Sequence, residues 1–157
     1  MSKNLKPVLL GIGLAVVVIY SIGAGFWSSR GSAWYQTLKA PSWQPPDWVF
    51  GVIWPYNFVI LTISVVVVAK KLSQPQIIAF VIFFALSVLF ALLWSYLFYS
   101  LHELSAAAIL LGLAAAMTFP ILVIVWNASR TVGILLLPYQ FWLVIAAVLS
   151  MGYAIKN

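Results

Sequence analysis

Cysteine is absent from this sequence, which excludes disulfides, thiolate metal sites and thiol nucleophiles. Acidic residues are nearly absent too. Asp47 and Glu103 stand alone, so there is no paired carboxylate and no nucleophile–base set for hydrolytic chemistry. A single histidine, His102, gives no metal-ligand spacing. Charged residues of all kinds make up 6% of the 157 residues, against about 25% in a soluble domain. A water-soluble fold would have no polar shell. The net charge of +6 comes from eight scattered Lys and Arg. They form no basic patch interleaved with aromatics, so nucleic acid is not the partner they imply.

What the sequence has is long apolar runs. No Lys, Arg, Asp or Glu lies between Pro7 and Ser29, Trp48 and Ala69, Leu72 and Leu101, Leu104 and Ser129, or Thr131 and Ile155. Each run exceeds the roughly 20 residues an α-helix needs to cross about 30 Å of hydrocarbon. The runs predict five crossings, at about 7–27, 47–69, 76–100, 104–127 and 131–154. The alternation of a membrane barrel strand is missing. Lys3 and Lys6 ahead of the first run resemble a signal peptide, but the run is too long for an h-region and reads as a retained first crossing. The expectation is one all-α integral membrane domain over residues 1–157, a bundle of five transmembrane helices. No internal repeat points to an inverted-repeat transporter. No Lys, Arg, Asp, Glu or His sits in the interior of a crossing, which argues against a coupled pump or a drug–proton antiporter.

Three connections are short turns, and one, about residues 28–46, is long. Long connections in compact domains are often functional lids. With five crossings, Lys3, Lys6, Lys70, Lys71 and Arg130 share one side, and Arg30, Lys39 and Lys156 the other. The excess predicts a cytoplasmic N-terminus in the cell membrane, with the long loop outside.

The segment from Trp34 to Trp54 is the most distinctive. Pro41, Pro45 and Pro46 stiffen and extend the chain. Pro46 and Asp47 suit a helix start. Phe50, Trp54 and Phe58 recur every four residues and share one helix face. Two readings fit. One is a rigid loop closing over an aromatic pocket for a flat hydrophobic ligand. The other is an interfacial belt, since Trp and Tyr collect at headgroup depth.

Three motifs here resemble a known family. They are Pro41-Ser42-Trp43-Gln44-Pro45-Pro46 followed by Phe50 and Trp54; Trp94-Ser95 with Phe98-Tyr99; and Leu137-Pro138-Tyr139-Gln140-Phe141-Trp142 followed by Ala146. In this order they resemble the TspO/MBR family, which comprises the translocator protein (the peripheral benzodiazepine receptor) and the bacterial tryptophan-rich sensory proteins. The resemblance runs from about Trp34 to the C-terminus. It implies a five-helix bundle whose pocket opens toward the long loop and binds tetrapyrroles such as protoporphyrin IX or haem, and in some members sterols or benzodiazepine-type drugs. No obligatory cofactor is implied. The ligand-binding positions it carries over are Tyr35, Pro45, Phe50, Trp54, Phe58, Trp94, Ser95, Trp142 and Ala146. It implies no acid–base catalytic residue. Trp54 and Trp142 match the tryptophans associated with light-dependent porphyrin breakdown, so photo-oxidation is an alternative activity. Uncoupled transport of porphyrin or sterol-like molecules is another. A homodimer in membrane lipid is also implied.

The sequence departs from the family pattern at three positions. Ala91 replaces an Asn in the third crossing, Ser150 an Asn in the fifth, and Ile145 a Phe. Ala91 removes a polar group from the expected pocket wall, and such groups orient ligands. His102 beside Glu103 reads as a solvated turn residue rather than a haem ligand. Leu149, Tyr153 and Lys156 fit a loose cholesterol-recognition pattern, although interfacial anchoring by Tyr153 and Lys156 is the simpler expectation. Small-residue spacings at Ala108/Gly112/Ala116, Ser87/Ala91 and Gly11/Ala15 permit close helix approach, within the bundle or between protomers.

Overall fold

The computed structural model describes residues 4–157. Lys3, one of the charges used for orientation, lies outside the described residues. Six α-helices follow in order: α1 (Lys6–Arg30), α2 (Ser32–Tyr35), α3 (Asp47–Lys71), α4 (Gln74–Tyr96), α5 (Leu104–Ala128) and α6 (Arg130–Lys156). A π-helical turn, Leu97–Leu101, continues α4. No strand occurs among the described residues. Five of these helices are long and apolar enough to span a bilayer. The expected boundaries hold to within a few residues. The long connection is shorter than the charge-free runs imply, because α1 continues to Arg30 and α2 adds another turn.

Local chemistry explains the ends. Pro7 opens α1, where a missing N–H costs nothing. Asp47 sits in the first turn of α3, and Lys70 and Lys71 in its last, each complementing the helix dipole. Ser73 and Gln76 form a capping box on α4. His102, with φ 61° in the left-handed region, ends the π turn. Ser129 alone separates α5 from α6, and its hydroxyl accepts from Val132 N–H at 3.4 Å.

The five long helices pack as a ring in the order α1, α4, α5, α6, α3, which closes back on α1. Prolines interrupt three of them: Pro55 in α3, Pro120 in α5 and Pro138 in α6. Each removes one backbone hydrogen bond. Polar side chains cross-link the ring nearby. The Tyr56 hydroxyl donates to the Leu135 carbonyl at 2.5 Å, one residue from the carbonyl that Pro138 frees. Gln140 Nε2 donates to the Ala115 carbonyl at 3.1 Å, and Thr118 Oγ1 donates to Gln140 Oε1 at 2.6 Å. In hydrocarbon such groups must find protein partners, so these ties fix the α3–α6 and α5–α6 seams.

Candidate functional site

The ring encloses a cavity of about 350 Å³ in the half of the bundle nearest the long connection. That is within the roughly 300–1,000 Å³ of small-molecule sites. Its walls are mostly aromatic. Phe50, Trp54 and Phe58 fall on one face of α3 because they are four residues apart. Trp54 stacks on Phe58 with centroids 5.8 Å apart and planes at 26°. Tyr20 of α1 meets both edge-on, at 5.9 and 5.5 Å. Phe50 meets Trp142 of α6 edge-on at 5.0 Å.

Polar atoms are few. Trp94 Nε1 donates to Ser150 Oγ at 3.0 Å, which joins α4 to α6 across the cavity. Ser150 thus supplies an indole acceptor at the position where the family resemblance leads one to expect Asn. Ser95 Oγ and Trp142 Nε1 are buried, border the cavity, and have no hydrogen-bond partner among the described residues. Tyr20 Oη, on another lining residue, is buried without a partner as well. Buried polar groups are normally paired, and each of these side chains would have to turn to present its polar atom to the cavity. Ala91 is buried and presents only its methyl to the cavity. The nearest polar side chain on this wall is Ser95, one turn further along. No charged side chain lines the cavity. No cluster of three or more metal-ligating residues exists among the described residues.

The end of the cavity nearest the long connection is roofed by Tyr35, Phe98, Tyr99 and Tyr153. The hydroxyls of Tyr153 and Tyr35 lie 2.9 Å apart, and both contact Gln44 Oε1 in a three-membered hydrogen-bonded cluster. Outside this roof the connection is strapped to the end of α6. Lys39 N–H donates to Asn157 Oδ1 at 2.9 Å, and Asn157 Nδ2 donates to the Lys39 carbonyl at 3.2 Å. Lys156 Nζ donates to the Ala40 carbonyl at 3.3 Å. Gly152 permits this approach, because a Cβ there would lie 2.8 Å from Pro41 Cγ. Trp34 of α2 stacks on His102 at 3.8 Å and 13°.

Of the positions expected from the sequence, Tyr35, Phe50, Trp54, Phe58, Trp94, Ser95, Trp142 and Ala146 are brought together around this one cavity. Pro45 is not among its lining; it is half-buried in the extended run ahead of α3. Tyr153 is not an interfacial anchor. It is 3% exposed and committed to the roof cluster. His102 is exposed in its turn, in addition to stacking on Trp34. The α5 spacing of small residues runs from a buried Ala108 to an exposed Ala116, and a Cβ at Gly112 would meet nothing within 4 Å. It therefore faces partly into the bundle and partly outward. The sequence reading missed the α1 wall: Tyr20, Ser21, Ala24, Gly25 and Ser28. The available signal was the run of small residues at 21, 24, 25 and 28, one helical face of an otherwise bulky crossing.

A family model described as TspO/MBR family matches residues 11–155. Similar curated proteins include the tryptophan-rich protein TspO of Chlorobaculum tepidum, 30% identical over 96% of this chain and 95% of its own. Protein CrtK of Rhodobacter capsulatus is 27% identical over 90% of this chain and 92% of its own. The translocator protein of Homo sapiens is 27% identical over 90% of this chain and 85% of its own.

Proposed function

The chain belongs to the TspO/MBR family, and from that premise we propose that it is a membrane receptor that binds a flat tetrapyrrole, of the protoporphyrin IX or haem type, in its aromatic cavity. One observation carries the reading: indoles from three different helices, Trp54, Trp94 and Trp142, line a single cavity. Planar aromatic faces suit a planar π-system through offset and edge-on packing. No charged side chain lines the cavity, so it suits the ligand's macrocycle and offers no ionic partner to its carboxylates. The strap from Lys39 to Gln44 acts as the lid over the end nearest the long connection. In this reading the N-terminus and the basic turns face the cytoplasm of a cell membrane, and two protomers pair within the bilayer.

The test is titration of protoporphyrin IX into purified protein, followed by tryptophan fluorescence. Saturable quenching is expected, weakened in a Trp54→Ala, Trp142→Ala double variant. Quenching that never saturates, or that is identical in the variant, rejects the proposal.

Trp54 and Trp142 both border the cavity, and this supports a second reading, oxygen-dependent photo-oxidation of the bound porphyrin. Illuminating the complex should bleach porphyrin absorbance faster than in protein-free detergent. Equal rates would dismiss it.

A further inference from the structure

The resemblance to the family suggests a pocket opening toward the long loop, but in this chain that end is the closed one. The Tyr35–Gln44–Tyr153 cluster and the strap to Asn157 cover it. The opening lies elsewhere, and it is found by asking which cavity-lining residues are also exposed on the outside of the bundle. Ser21 and Gly25 of α1 are the lining residues with exposed surface.

The seam between α1 and α3 explains why. In the half away from the cavity the two helices are tight. A Cβ at Gly13 would lie 2.7 Å from Val65 Cγ1. Contact continues to Tyr20, which meets Trp54 and Phe58. Beyond Tyr20 the close approaches of α1 turn to α4 and its π turn. A Cβ at Gly23 would meet Leu92, Trp27 packs on Tyr96 at 5.7 Å, and Gly31 sits against Tyr99. Over the same height α3 leans on α6 through Phe50 and Trp142. Beyond Tyr20, then, α1 and α3 lean on different neighbours, and the α1 residues that line the cavity here, Ser21, Ala24, Gly25 and Ser28, are small. An added Cβ at Gly25 would meet nothing within 4 Å. At 1.5 Å per residue, Gly25 and Ser21 lie about 8 and 14 Å below Arg30, at hydrocarbon depth. The flanking surface is apolar and exposed: Ile22 and Phe26 on α1, Trp48 and Val52 on α3.

We propose that the cavity is loaded sideways from the bilayer through this cleft between α1 and α3, and that its ligand is a membrane-dissolved flat amphiphile, its macrocycle in the hydrocarbon, rather than one delivered from water past the long connection. This rests on the binding reading above. The test uses the absence of cysteine. Gly25→Cys introduces a unique thiol with room for its side chain. The variant is placed in lipid vesicles, loaded with protoporphyrin IX, labelled with a bulky lipophilic maleimide and diluted. The label should slow porphyrin release about tenfold or more, and labelling before loading should slow uptake to a similar degree. The same label on Gly11→Cys, on α1 but outside the cavity, should change neither rate. Asn157→Ala, which removes two of the three hydrogen bonds of the strap, should also leave both rates unchanged. The inference is overturned if the label at position 25 leaves both rates unaltered, or if Asn157→Ala accelerates them. Absence of saturable quenching in the unlabelled protein instead rejects the binding reading, and this inference with it.

Discussion

Consider Gly11→Ala and Gly13→Ala, the same substitution made two residues apart on α1. Each replaces Gly by Ala in a helix interior, which favours the helix by up to about 1 kcal/mol. That gain is common to both and cancels in the comparison. The surroundings differ. A Cβ at position 11 meets nothing within 4 Å, whereas at position 13 it lies 2.7 Å from Val65 Cγ1. The optimum for two carbons is about 3.5–4.0 Å, so the overlap approaches 1 Å. Val65 cannot swing aside, because it is 2% exposed and a β-branched residue in a helix is held near one rotamer. The α1–α3 seam must open instead. Overpacking of this kind costs about 1–3 kcal/mol. At 2 kcal/mol the unfolding equilibrium of Gly13→Ala shifts roughly 30-fold relative to Gly11→Ala. The assay is reversible SDS titration of both variants in mixed micelles, followed by circular dichroism. A midpoint for Gly13→Ala equal to or above that of Gly11→Ala would refute the argument and the close approach it rests on.

Three further outcomes are expected. Tyr153→Phe removes the hydroxyl from the roof cluster at a cost of about 1 kcal/mol, so proteolysis of the 36–46 connection should accelerate several-fold; an unchanged cleavage rate would show that the cluster does not hold the roof. Ala91→Asn restores an amide to a methyl wall, and affinity for a ligand carrying a carbonyl should rise about fivefold from one added hydrogen bond, measured by quenching titration against an unsubstituted hydrocarbon analogue; equal changes for both ligands would refute it. Single cysteines at Ser73 and Ser42, probed with a membrane-impermeant maleimide on intact cells, should label only at position 42; labelling at position 73 instead would invert the proposed orientation.

The five crossings were legible because burying an unpaired charge in hydrocarbon is so costly that the runs between charges mark the spans. Outside the aromatic face of α3, which side of a crossing turns inward was not legible from periodicity. Lipid is as apolar as the core, so Val59 and Ile60, exposed and buried neighbours, look alike in sequence. The aromatic wall on α3 was legible from the four-residue spacing of Phe50, Trp54 and Phe58, and those on α4 and α6 through motif resemblance, which depends on conspicuous residues. The α1 wall is made of Ser and Gly, whose contribution is the space they leave open. Tyr153 was misjudged for a related reason. A tyrosine near a helix end usually marks an interface, and only the folded-over strap, tied by Gln44 and Asn157, converts it into a buried roof member. Ser150 gained its meaning only from the Trp94 indole, 56 positions away.

Only Gly13, Val17 and Tyr20 of the 25 residues of α1 are buried. That slender footing bears on biogenesis. Helix α1 is synthesised before its docking partners, α3 and α4, and it must wait in lipid as an independent span, which its largely apolar surface permits. The better-anchored α5 and α6, joined by a single residue, are expected to pair as soon as both are inserted. The bundle would then be completed by the arrival of its oldest member, α1, last into place. Crosslinking on stalled nascent chains would register this order, with α5–α6 products appearing before any that include α1.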